Sequence, residues 1–196
     1  RMTPDPSYPP LARFSVSAPP GYTLVAEGAS MAISPDGMRL AFIVTDTSGT
    51  TRLCVRKLDT LAAQLLPGTD AAMLPCWSPD SRFIAFFAEG KLKKIPADGG
   101  SPEVLCDAPG GRGASWSSRG VILFAPEAMG SFFTVSADGG KAVEAVRPDS
   151  SKKETGFRFP SFLQDGKHYL YVSLPGKPEG YDVYLGELGS DRRERI

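Results

Sequence analysis

Apolar residues in this chain gather in short, nearly continuous runs bounded by proline, glycine, serine and aspartate. Four such runs stand in the same setting: Leu40 to Val44, Ile84 to Ala88, Val121 to Ala125 and Tyr169 to Leu174. Each is rich in β-branched or aromatic residues and too short for a helix, which predicts a strand covered on both faces. A turn precedes each run. Its fullest form is Ser34-Pro35-Asp36-Gly37, with serine first, proline fixing φ at the second position and glycine fourth, as a type I turn prefers. Before each turn lies a shorter apolar stretch, Met31 to Ser34, Leu74 to Ser78, Ala114 to Ser117 and Phe159 to Leu163. Two strands are therefore expected to fold back on each other at every turn.

A third run follows in each unit: Leu53 to Leu58, Lys91 to Pro96, Phe132 to Ala137 and Asp182 to Leu188. A second turn closes it, most plainly the "ADGG" of Ala97 to Gly100 and of Ala137 to Gly140, a composition suited to tight hairpins. A fourth, more polar strand leads out, as in Glu103 to Cys106 and Ala142 to Val146. Asp36, Asp80, Arg119 and Asp165 hold the same place in the four turns, at steps of 44, 39 and 46 residues. Four antiparallel strands repeating at this interval, with no helical period, predict an all-β protein built from the blades of a β-propeller.

The blades are expected near residues 30–68, 73–107, 113–147 and 157–196, after a Pro-rich linker over 1–12, "RMTPDPSYPPLA". Arg13 to Ser17, "RFSVS", stands alone before the first blade and reads as a closing outer strand. Trp77 and Trp116, with Ile33 and Phe162 at the same place, are expected where neighbouring blades press together. The turns depart from the pattern in three units. Ser81 follows Pro79 and Asp80 in place of glycine, Ser118 and Arg119 replace Pro-Asp before Gly120, and Leu163-Gln164 replace Ser-Pro before Asp165 and Gly166. Those turns are expected to be less well determined.

"SPDGMRLAF" and "WSPDSRFIAFF" resemble the WD40-like, or TolB-like (PD40), propeller repeat over about residues 30 to 190. "RFSVSAPPGY", "LCDAPGGRGASW" and "GVILFAP" resemble, in short phrases, the propeller modules attached C-terminally to bacterial serine/threonine protein kinases. The resemblance implies a non-catalytic ligand- or protein-binding module, the sensor or interaction part of a receptor-like kinase in signal transduction. It also implies a membrane-tethered parent with an extracytoplasmic propeller. Two other parents fit the repeat: a prolyl oligopeptidase-type serine peptidase whose propeller restricts access, and a TolB-like periplasmic scaffold. Two forms of the ring also stand. Either Arg13 to Ser17 closes four blades, or the chain is part of a ring of six to eight blades. The second is preferred, because larger rings are usual in the resembling family. Open blade faces in such a fragment favour self-association.

Composition narrows the partners. With 22 basic and 22 acidic residues there is no global field for a polyanion, so no nucleic-acid partner is expected. The longest apolar runs fall well short of the roughly 20 residues of a membrane-crossing helix, and the first residues lack the apolar core of a signal peptide. "KLKKI", residues 91–95, reads as a solvated blade face. Cys54, Cys76 and Cys106 form no CxxC pair and read as small buried hydrophobes.

Candidate chemistry is sparse. His168 is the single histidine, and no G-x-S-x-G, HRD, DFG or kinase glycine-rich loop occurs, so the segment is expected to have no enzymatic activity, metal or cofactor of its own. "PGGRG", residues 109–113, lacks the lysine and the strand-to-helix setting of a phosphate loop. It reads as a crossover between blades, and its Arg112 is the rim residue singled out for contact with a protein or small-molecule ligand. Asp46 to Gly49 and Pro175 to Gly180 read as ordinary loops without a calcium ligand array.

Overall fold

The computed structural model describes residues 15–26, 28–176 and 180–196. The expected linker, the first two residues of the expected closing strand, and part of the Pro175 to Gly180 loop lie outside the described residues.

The first blade comprises β1 (Tyr22–Leu24), β2 (Met31–Ile33), β3 (Arg39–Asp46), β4 (Thr51–Lys57) and β5 (Ala63–Leu65). The second holds β6 (Met73–Trp77), β7 (Phe83–Ala88), β8 (Lys91–Pro96) and β9 (Glu103–Asp107). In the third are β10 (Ala114–Trp116), β11 (Val121–Phe124), β12 (Phe132–Ser136) and β13 (Val143–Val146). The fourth holds β14 (Glu154–Phe162), β15 (His168–Pro175), β16 (Asp182–Glu187) and β17 (Arg193–Arg195). Chain neighbours pair antiparallel within each sheet. β1 and β2 share one edge of β3; the Val25 N–H donates to Ile43 O at 3.0 Å and the Ile43 N–H to Ser30 O at 2.9 Å. They are thus one inner strand interrupted by an inserted loop.

The strict alternation of side chains along a strand explains how the blades stack. In β7, Ile84 and Phe86 join Ala41, Ile43, Leu53 and Val55 of the first blade. The intervening Ala85 and Phe87 join Ile122, Phe124 and Val135 of the third. One residue further along the same logic, Leu123 and Ala125 meet Phe157, Tyr169 and Tyr171 of the fourth. Each fully buried leucine, isoleucine or phenylalanine contributes roughly 1.5–3 kcal/mol, so the second strands of the second and third blades are glued on both sides.

The fourth blade departs from this. Leu170 pairs with Leu185 and Val172 with Val183, on the side of β15 opposite Tyr169 and Tyr171, and Val183 is 41% exposed. Cover on both faces, expected for all four runs, is therefore missing on one side here, because no following blade stands there among the described residues. The corresponding outward face of the first blade, Leu40, Phe42, Val44 and Cys54, is closed by Val16, Ala18, Tyr22 and Leu24. The Ser15 carbonyl accepts Arg56 Nη1 at 2.6 Å. Ser15 to Ser17 pair with no strand. The fourth sheet has its own outer strand in β17, and the described part of the expected closing strand, Ser15 to Ser17, does not join it; the polar "RER" of β17 hid a strand that the sequence pattern left incomplete.

The variant turns close like the full one. The N–H of Gly37, Ser81, Gly120 and Gly166 donates to the carbonyl three residues earlier at 2.8–3.1 Å. Their φ angles are 71°, 60°, 73° and 66°. The expected loss of definition is not seen, because the closing bond belongs to the backbone and needs only a left-handed fourth residue. The turns also touch across blades: Ser117 Oγ donates to Gly166 O at 2.6 Å, and a Cβ on Gly166 would lie 2.3 Å from Ser118 Oγ.

Candidate functional site

The inner hairpin turns and the ADGG-type turns share one end of the blades; the crossovers and the loops between second and third strands share the other. At the turn end the innermost strands of all four blades line an axial cavity of about 510 Å³. Ile33, Trp77, Trp116 and Phe162 form its apolar wall, with Pro35 and Pro79 from the turns, Ser118 and Gln164. No charged side chain lines it. A second cavity, also about 510 Å³, fills the cleft between the second and third blades and is lined by Asp80, Phe83, Lys94, Trp116 and Asp138 among others. Pro79, Trp116 and Ser118 belong to both cavities, so the two form one continuous surface.

The two tryptophans occupy the same place in their blades and meet different surroundings. Trp77 is 6% exposed within the core shared by the first two blades, and its indole N–H donates to Ala32 O at 2.8 Å. Trp116 packs against the next core but is only half-buried. Its ring stands 6.4 Å from that of Phe83, above which Lys94 Nζ lies 5.5 Å from the ring centre. Lys94 donates to Ala137 O at 2.9 Å and pairs with Glu103 at 3.3 Å. Ile33 is 58% exposed at the mouth of the axial cavity, and Phe162 packs edge-on to Tyr169 at 5.7 Å.

The turn aspartates are occupied with their own turns. Ser34 and Ser78 hydroxyls donate to Asp36 and Asp80, and these bonds, ahead of the backbone N–H donors, hold both carboxyls below their ordinary range. The His168 side chain does the same for Asp165, so the lone histidine serves the turn of its own hairpin.

Arg112 lies at the crossover end and lines neither cavity. Its guanidinium folds back on the Gly110 and Gly111 carbonyls at 3.1 and 2.8 Å, and its own carbonyl accepts the Phe159 N–H at 3.0 Å. Two of the three glycines of "PGGRG" have a packing reason. A Cβ on Gly111 would lie 2.2 Å from the Phe87 ring, and one on Gly113 would lie 2.9 Å from Phe159 Cα.

The three lysines of "KLKKI" are paired with Asp107, Glu89 and Glu103. Asp46 accepts the Ser48 and Thr50 N–H groups and Arg52, which organises its loop. No group of three or more histidine, cysteine, aspartate or glutamate side chains suited to a metal is present among the described residues, and no helix there is long and apolar enough to cross a membrane. Burial pushes the Cys54 and Cys76 thiols up to about 12 and Cys106 to about 11.

Phe83 was not singled out by the sequence pattern, Lys94 was read only as part of a solvated blade face, and Asp138 only as part of a turn. A signal was present: Phe83 begins its strand where Arg39 begins the equivalent one.

No family model matches the chain, and no curated protein does. Among solved structures it is similar to a TolB of Agrobacterium tumefaciens, with a TM-score of 0.70 at 18% identity, covering 85% of this chain and 63% of that one. TolB from Acinetobacter baumannii gives 0.68 at 15%, over 85% and 42%. The β-propeller domain of the Trilobed protease from Pyrococcus furiosus, which has an open velcro topology, gives 0.55 at 14%, over 85% and 56%. The chain thus spans less than two thirds of each of these proteins. With four stacked antiparallel blades and these likenesses, the fold is that of a TolB-like β-propeller.

Proposed function

We propose that this chain is a non-catalytic binding module whose working surface is the turn face, and that it takes an extended segment of a partner protein there. One observation carries the reading: the axial cavity runs into the cleft between the second and third blades across a half-exposed Trp116. Concave surfaces lined by apolar and aromatic groups with a few convergent polar atoms are the usual form of a binding site. The phrases shared with kinase-attached propellers support a role as the sensor or interaction part of a bacterial receptor-like serine/threonine kinase.

Selection of peptides from a display library on the folded chain tests the reading. Ligands that lose affinity with Trp116→Ala but keep it with Arg112→Ala support it; ligands indifferent to Trp116 refute it. A second reading, the access-restricting propeller of a serine peptidase, draws support from the likeness to the Trilobed protease propeller. The flanking coding sequence separates the two. HRD and DFG motifs upstream belong to the kinase reading, and a G-x-S-x-G elbow downstream belongs to the peptidase.

A further inference from the structure

Successive clefts between blades can be compared position by position. The N–H groups of Leu58, Ala97, Ala137 and Leu188 donate to Met38, Arg82, Gly120 and Lys167 carbonyls respectively, at 2.8–2.9 Å. That register makes Arg39, Phe83, Val121 and His168 equivalent, and likewise Asp59, Asp98, Asp138 and Gly189. In the cleft between the first two blades, Arg39 Nη1 reaches Asp98 Oδ1 at 3.0 Å. In the next cleft the aspartate is kept as Asp138, but phenylalanine replaces the arginine. Asp138 is exposed and has no ion pair among the described residues. In the third cleft the equivalent residues are Val121 and Gly189, so neither partner of the pair is present.

The middle cleft therefore has the carboxylate without its guanidinium, and a cavity in which Phe83 and Trp116 stand side by side. Asp80 adds a second carboxylate to its lining. Lys94 is the one cation lining the cavity; its side chain is 13% exposed and already paired with Glu103.

We propose that this cleft receives an arginine side chain from an extended peptide of a partner protein, its guanidinium lying against Trp116 and pairing with Asp138. Charge complementarity and the Arg39–Asp98 pair of the neighbouring cleft both point to a guanidinium. Its planar, weakly hydrated fork also suits an aromatic face and a carboxylate better than an ammonium does. The assignment rests on the turn face being the binding surface.

The test is titration of the full chain with the blocked tripeptides Ac-Ala-Arg-Ala-NH2 and its citrulline counterpart, which keeps the shape and removes the charge, followed by the indole N–H signal of Trp116. The arginine peptide is expected to bind about tenfold more tightly or better, the scale of a charge-assisted bond. Asp138→Asn removes that preference. Phe83→Arg supplies the guanidinium from within and abolishes arginine binding while thermal unfolding stays cooperative. Equal binding of the two peptides, or unchanged arginine binding by Phe83→Arg, overturns the proposal. If display-selected ligands lack arginine yet still need Trp116, the arginine assignment falls and the turn-face reading stands; if no selected ligand needs Trp116, both fall.

Discussion

The N–H of Asp36, in the turn of the first blade, donates to Ser81 Oγ, in the turn of the second, at 3.1 Å. Ser81 holds the left-handed position that glycine fills in the other three turns, and its hydroxyl gives the first turn a bond that glycine there would not. Two effects oppose each other. A non-glycine residue in this conformation costs roughly 1–2 kcal/mol, and one hydrogen bond contributes roughly 0.5–1.5 kcal/mol. Ser81→Gly is expected within about 1 kcal/mol of the parent, and Ser81→Ala, which keeps the strain and loses the bond, less stable than either. Urea unfolding measures this; an alanine variant as stable as the glycine variant contradicts it.

Trp77 and Ile33 occupy matching places, one buried and one exposed. Trp77→Ala is expected to cost about 3–5 kcal/mol, and Ile33→Ala less than about 0.5 kcal/mol. A loss below about 0.5 kcal/mol for Trp77→Ala would remove it from the contact between the blades.

At the crossover, Gly111→Ala forces a methyl into the Phe87 ring and is expected to destabilise by about 1–3 kcal/mol, as overpacking does. Binding at the turn face should survive in whatever protein folds. Equal stability of the two chains in denaturant would show that the loop has room that the backbone geometry denies it.

The carboxyls of Asp36, Asp80 and Asp165 are all held below their ordinary range. A carboxyl depressed in the folded state binds its proton more readily after unfolding, so it adds stability above the unfolded value. That stability is lost as pH falls through about 4 and below. The midpoint of thermal unfolding is expected to drop on acidification from pH 5, and less steeply with Asp36 and Asp80 both replaced by asparagine. A midpoint that rises toward acid would reverse the sign.

The thiols behave oppositely. Burial raises all three, so only the unfolded chain ionises as pH climbs past about 8.5, and stability declines there. Alkylation by iodoacetamide at that pH should be slow in the folded protein and fast in denaturant. Rapid labelling of the folded chain would mean the thiols are accessible.

The repeat was legible because its marks are local: a left-handed residue closes each turn, with a proline in the first two, and an apolar run must follow to be buried. Features decided by neighbours in space were not. β17 is polar and pairs only because β16 offers it an edge. β1 was missed, because the inserted loop separates it from β2, the strand it continues. Trp77 and Trp116 read alike, and their fates diverge because Ala32 O meets one indole while cavities open on both sides of the other. Arg112 stood out as a charge on a glycine-rich loop, but its donors turn to that loop's own carbonyls.

The proposed binding surface centres on Trp116, the less buried tryptophan of the pair. A display-selected peptide added to nitrogen-15-labelled protein tests this in one spectrum. The Trp116 indole signal is predicted to shift with peptide concentration while that of Trp77 stays still. A shift confined to Trp77, or to the backbone amide of Arg112, would contradict it.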